Sequence, residues 1–227
     1  YYCVEHLQYA RERNIPFVSV DREVDDADVP SVLTDNVKAT QKVVDYLYER
    51  GHRQIGYVSF SMENQTTVRK RFEGFRKGLE KNGLEYNPDF VIIDDATKLQ
   101  ETAGTYEIAK KIFSARSVPT AFVTMSDLFA YGLIRALREL GYRVPNDVSV
   151  TGFCDNRIGD FFVPRLTTIV QPMEKMGAAG MNMLLDMIEK GERIDTKMFF
   201  QADLWERDSV APPRAAEHTN NNLKETV

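Results

Sequence analysis

The chain is poor in the residues that most often carry chemistry. Among its 227 residues there are two cysteines, Cys3 and Cys154, and three histidines. Two cysteines so far apart build no disulfide framework and match no zinc-ligand spacing, so a reducing cytoplasm is the default compartment. The histidines are scattered. His6 lies in a helical pattern, His218 in a polar tail, and His52 at the start of a strand, where a structural turn role suits it best. There is no G-x-S-x-G elbow, no H-E-x-x-H pair, no Walker loop and no G-x-G-x-x-G. Carboxylates are plentiful, which keeps a glycosidase-like pair open, yet no nucleophile is set beside a base. An enzyme is therefore the weaker reading, and neither cofactor nor metal is expected. Basic charge is also lacking: the net charge of -5 argues against this stretch alone clamping phosphates. No apolar run approaches the ~20 residues of a membrane span, and the N-terminus carries no signal-peptide pattern. A soluble chain without a membrane partner is expected.

What is present is one pattern, repeated. A helical pattern over 4–13 precedes a strand over 15–20. Thr34 or Asp35 then caps a helix with Val43, Val44 and Leu47 on one face, stopped by Gly51. Strand 55–60 follows, then a helix carrying Phe72, Phe75 and Leu79 that ends at Asn82-Gly83. A strand over 90–93, a helix around Ala109, Ile112 and Phe113, and a strand over 121–125 come next. A helix with Leu133, Ile134, Leu137 and Leu140 closes at Gly141. Strands at 148–153 and 166–170, a helix over 174–190 and a last strand over 198–204 complete the set. The polar residues 214–227 form a loose tail.

Strands alternating with helices imply parallel pairing with right-handed crossovers. Ligands in such sheets bind beyond the carboxyl ends of the strands. At those exits stand Asp21-Arg22, the run from Ser61 to Gln65, Asp94-Asp95, Ser126-Asp127 and Cys154-Asp155-Asn156. Loops are polar in any case, so one such exit means little. Gathered on one edge, carboxylates and amides suit a hydroxyl-rich ligand.

Five segments carry a resemblance: SVLTDNVKATQKVVDYLYERGHRQIGYVS, RKRFEGF, VPTAFVTMSDLFAYGLIRALRELGYRVPNDVSVTGF, PRLTTIVQPMEKMGAAGMNMLLDMI and ERDSVAPP, in that order. Together they resemble the effector-binding core of the lac-repressor/galactose-repressor (LacI/GalR) family of bacterial transcription regulators, over about residues 15–213. The resemblance implies a periplasmic-binding-protein-like α/β fold, with two doubly wound parallel-sheet subdomains and a ligand cleft between them. Carried onto this chain, it assigns 1–33 and 171–195 to one subdomain and 34–170 and 196–213 to the other. The first piece holds one obvious strand, so further strands upstream of Tyr1 are expected, preceded by a helix-turn-helix headpiece that would reach operator DNA. The resemblance also implies a homodimer and a small-molecule effector, expected to be a sugar or sugar derivative. A periplasmic sugar-binding protein of a transporter is the alternative.

The resemblance implies a ligand set as well. Asp21 matches an acidic cleft residue, Arg71 the arginine that fixes many family effectors, and Thr67 a polar ligand-side position. Ser126 stands where several relatives have asparagine, and Met173 falls at a cleft wall or, equally, in the core. At the exit of strand 148–153 the family usually reads G-F/Y-D-D/N, and its first aspartate binds sugar hydroxyls. This chain reads Gly152-Phe153-Cys154-Asp155-Asn156, which puts a thiol at the ligand position. Either Asp155 swings in as the acceptor, or the effector lacks a hydroxyl there. On helix 174–190, Gly177 to Gly180 permit close packing, and Met181, Leu184, Leu185 and Ile188 are expected against the chain's own sheet.

Overall fold

A computed structural model describes residues 4–24, 29–61, 65–94, 101–155, 159, 161–191 and 196–214. Two sheets organise them. The smaller joins β1 (Ser19–Val20), β2 (Ser31–Thr34) and β8 (Lys197–Phe200), all parallel, in the order β1-β2-β8. The larger joins β3 (Ile55–Phe60), β4 (Val91–Asp94), β5 (Ala121–Thr124), β6 (Ser149–Phe153), β7 (Thr167–Val170) and β9 (Asp203–Trp205). Its order is β4-β3-β5-β6-β7-β9, with β9 alone antiparallel, against β7. The helices are α1 (Val4–Glu12), α2 (Asn36–Glu49), α3 (Thr66–Lys81), α4 (Glu101–Phe113), α5 (Asp127–Glu139) and α6 (Met173–Lys190), and a 3-10 turn (Pro88–Phe90) leads into β4.

The larger sheet has a core on each face. On one side α2 and α3 press Val44, Leu47, Phe75 and Leu79 onto Tyr57, Val123 and Ile169. On the other, α4 and α5 press Ala109, Leu133 and Leu137 onto Val58, Phe122 and Val150. Strands covered on both faces read as continuous apolar runs, as β3, β5 and β6 do. Asp35 starts α2 by accepting from the Lys38 amide at 3.1 Å, and the φ of +97° at Gly51 turns the chain into β3. Two glycines set α3 close to α2: a Cβ at Gly74 would stand 2.4 Å from the Val37 carbonyl oxygen, and one at Gly78 2.6 Å from Val44 Cβ. That close packing fixes the first turns of α3, and with them Arg71.

The smaller sheet departs from the sequence expectations. The strand expected over 15–20 pairs only at Ser19–Val20, while Ser31–Thr34, not anticipated as a strand, is the fully buried centre of the sheet. The single strand expected over 198–204 is two strands. β8 belongs to the smaller sheet and β9 to the larger, so the chain changes sheets at Gln201-Ala202 rather than near Thr196. On α6 the buried residues are Met176, Gly180, Met183 and Met187, with Gly180 seated so that a Cβ would meet Val20 at 2.8 Å. Met181, Leu185 and Ile188, expected against the sheet, face outward. Spacings of four, three and four residues make the methionine–glycine line one helix face, and apolar residues on both sides of it hide which face is buried.

Candidate functional site at the strand exits

β1 is followed by Asp21, whose φ of +64° turns the chain sharply out of the sheet. β7 runs into Gln171, which is buried where the chain passes to α6. The Gln171 side-chain amide donates to Asp21 Oδ1 at 2.6 Å and to Thr34 Oγ1 at 2.7 Å. Thr34 ends β2, and its carbonyl accepts from Asn36 Nδ2 at 3.1 Å. Asn36 Oδ1 in turn accepts from Arg71 Nε at 2.8 Å. One chain of hydrogen bonds therefore runs from Asp21 on the smaller sheet, through the residues that follow β7 and β2, to Arg71 beside the larger sheet.

Arg71 is 4% exposed although it stands in the second turn of α3. Its Nη1 donates to the Met125 carbonyl at 2.7 Å and lies 3.7 Å from Cys154 Sγ. Its guanidinium carbon sits 3.6 Å from the Phe153 ring centroid, a cation–π arrangement. It therefore gathers the exits of β5 and β6 around one cation.

Cys154 and Asp155 follow β6 with φ of +98° and +51°, a left-handed step that non-glycine residues seldom take. The Cys154 residue is exposed at the mouth, while protein surrounds its sulfur on the inner side. Burial pushes the thiol up, Arg71 opposes this, and Asp127 and Asp21 add to it. The thiol is thus protonated near neutral pH. Asp155 does not turn toward Arg71: Oδ1 accepts from Arg207 Nη2 at 2.7 Å. Arg207 also donates Nη1 to the Leu166 carbonyl and its backbone amide to Thr167 Oγ1, stapling the β6 exit to β7. Of the two explanations of the cysteine, this geometry leaves Asp155 occupied.

Ser126 is buried at the cap of α5 and makes no side-chain capping bond there. Its neighbour Asp127 is 2% exposed and accepts from Thr168 Oγ1 at 2.6 Å. Gly152 makes room for it: a Cβ there would lie 2.1 Å from Asp127 Oδ1. Thr67 is half-buried in the first turn of α3, and Met173, 49% exposed, opens α6. At the rim, Glu23 accepts from Lys70 and, at 3.1 Å, from Lys197. Burial alone would push Glu23 up, but the two ammonium groups outweigh it and hold the carboxyl below its ordinary range.

The structure thus brings Asp21, Arg71, Cys154 and the neighbourhood of Ser126 together, and commits Asp155 to Arg207. Asp127 was expected at a strand exit, whereas Asn36 and Gln171 were not anticipated; the amide signals were the D-N after β2 and the Q-P after β7. Met62 to Asn64, Asp95, Asn156 and residues 215–227 lie outside the described residues. His52 plays the structural part expected of it: its Nε2 donates to the Ala211 carbonyl at 3.0 Å, and its Nδ1 lies 2.9 Å from Thr120 Oγ1. Two surface depressions of about 370 and 470 Å³ lie elsewhere, beside Arg138, Val163 and Pro164 at the far ends of β6 and β7. They hold no convergence of buried polar groups of the kind found at the strand exits.

Two mainly parallel sheets, joined by crossing segments and meeting at their strand exits, define a two-lobed small-molecule-binding class. The comparisons carry this further. Residues 44–210 match the periplasmic binding protein-like domain family, and the chain belongs to it as an effector-binding core of the LacI/GalR type. It is 36% identical over 200 residues to the HTH-type transcriptional repressor PurR of Serratia proteamaculans, covering 88% of this chain and 57% of that protein. It is 29% identical over 206 residues to the HTH-type transcriptional regulator RegA of Clostridium saccharobutylicum, covering 91% and 61%. A LacI-family regulator of Enterococcus faecalis solved with bound ribose superposes with a TM-score of 0.76 at 26% identity, covering 91% of this chain and 73% of that one. The chain spans about three fifths of the length of the curated relatives it matches.

Proposed function

We propose that this chain is the effector-binding and dimerisation part of a bacterial transcription regulator. A small molecule, a sugar or sugar derivative, binds between the two sheets and controls operator binding by a helix-turn-helix headpiece outside the chain. The observation that carries this reading is the hydrogen-bonded line from Asp21 through Gln171, Thr34 and Asn36 to Arg71. It ties the two sheets together where a ligand would touch both, so occupancy and relative placement of the sheets are coupled. Asp21, Thr67, Arg71, Ser126, Cys154 and Met173 are the ligand-side residues, and Asp155 orders the loop through Arg207. The names of the relatives favour a regulator over a transporter's binding protein, and a regulator of this kind works in the cytoplasm. No described helix is long and apolar enough to cross a membrane.

The homodimer forms through the larger sheet's half. Phe161 and Val163 are 87% and 79% exposed, and Phe162 stacks on Tyr131 at 4.1 Å beside the smaller depression. An apolar cluster rimmed by Arg135, Arg138 and Glu139 suits a second copy. Light scattering of the chain at micromolar concentration tests this: a dimer that Phe161→Asp converts to monomer supports it, and a monomeric parent chain refutes it. Calorimetric titration with sugars tests the effector assignment, which fails if ligands bind with equal affinity to the parent chain and to Arg71→Ala.

A further inference from the structure

Every partner of the buried Arg71 guanidinium is electrically neutral. Nε faces an amide oxygen, Nη1 a peptide carbonyl and a thiol, and one face of the group lies on a phenyl ring. Among the described residues no carboxylate pairs with it, although buried arginine is seldom left without an anion. The nearby carboxylates are engaged: Asp21 by Gln171, Asp127 by Thr168, Asp155 by Arg207, and Glu23 by Lys70 and Lys197. The thiol supplies no charge either, since burial keeps it protonated. Nη2 has no acceptor among the described residues and is not sealed from solvent. A buried cation, held rigidly by three neutral acceptors and open along one edge, is arranged to receive two oxygens of an anion.

We infer that the effector of this chain is an anion, carrying a carboxylate or phosphate whose oxygens take the open edge of Arg71 beside Cys154. The inference rests on the proposed function and narrows it from sugars in general to sugar acids and sugar phosphates. Cys154 is the residue that sets this preference. A carboxylate in its place, 3.7 Å or less from Nη1, would neutralise Arg71 from within the protein and repel an incoming anion. A thiol leaves the charge to the ligand.

The test is isothermal calorimetry of the full chain with D-ribose, D-glucose and D-galactose, each alongside its aldonate and its terminal phosphate. An acid or phosphate should bind at least tenfold more tightly than its neutral parent. A preference confined to the aldonates identifies a carboxylate ligand, and one confined to the phosphates a phosphoryl ligand. In Cys154→Asp the preference should fall by tenfold or more. Neutral sugars binding as tightly as their acids and phosphates would overturn the anion inference and leave the effector reading standing. Binding by no member of the series would overturn both, and an undiminished preference in Cys154→Asp would remove Cys154 from the explanation.

Discussion

The two sheets are built to different standards. The larger is sealed on both faces, with Tyr57, Phe75, Phe122, Leu133 and Leu137 fully buried. The smaller has one short core of Val32, Met176 and Met183, while Ile15, Val20, Met198 and Phe199 remain exposed around it. Yet the polar line that joins the sheets is anchored equally in both, at Arg71 and at Asp21. The well-packed half holds the cation still, with α3 closed on α2 at Gly74 and Gly78.

The contrast can be broken by mutation. Phe122→Ala should cost ~3–5 kcal/mol in the larger sheet, read as a shift in the urea midpoint followed through Trp205, the only tryptophan, which sits in β9. Met183→Ala should cost ~2 kcal/mol, at the low end for such truncations because its surroundings can collapse. If Met183→Ala moved the Trp205 transition as far as Phe122→Ala does, the sheets would be one cooperative core and the contrast would fail.

Acid sharpens it further. Burial depresses His52 to about 4 from 6.5, with Arg53 helping and the Ala211 carbonyl opposing. The folded chain declines a proton that the unfolded chain accepts, so this contribution to stability is complete above pH 6.5. It is lost as pH falls from there and levels off below about 4, amounting to something on the order of 2–3 kcal/mol. The other described histidine, His6, is exposed on α1. Urea midpoints measured between pH 7 and 4 should therefore fall in the parent chain and stay flatter in His52→Gln.

Glycines give an opposed pair. Gly152→Ala would force a Cβ onto Asp127 and Leu166 and should destabilise the β6 exit by ~1–3 kcal/mol. Gly177→Ala, in α6 with nothing within 4 Å of the new Cβ, should instead stabilise by ~0.5–1 kcal/mol. Thermal melts of both variants check the signs.

The same division explains what could be read from sequence. The elements of the larger sheet carry long runs bounded by Gly51, Gly83 and Gly141, and their periodicity is plain. In the smaller sheet, Ser31–Thr34 is a four-residue strand after Pro30, too short to announce itself, and nothing at Gln201-Ala202 marks the passage from β8 to β9. Arg71 and Asp21 were singled out through the family resemblance. Asn36 and Gln171 were not, because a buried amide looks like any other polar residue until its partners are known. Asp155 stood in the right loop, but its pairing with Arg207, 52 residues away, is invisible to local pattern.

The central claim is that Arg71 anchors a ligand between the sheets. Its most direct test is calorimetric titration of the tightest-binding sugar acid or phosphate into the parent chain and into Arg71→Ala, with circular dichroism confirming that both are folded. Losing the charged partner of a desolvated anion should cost ~2–5 kcal/mol, about two to three orders of magnitude in affinity. An Arg71→Ala chain that is folded and binds as tightly as the parent would contradict the account.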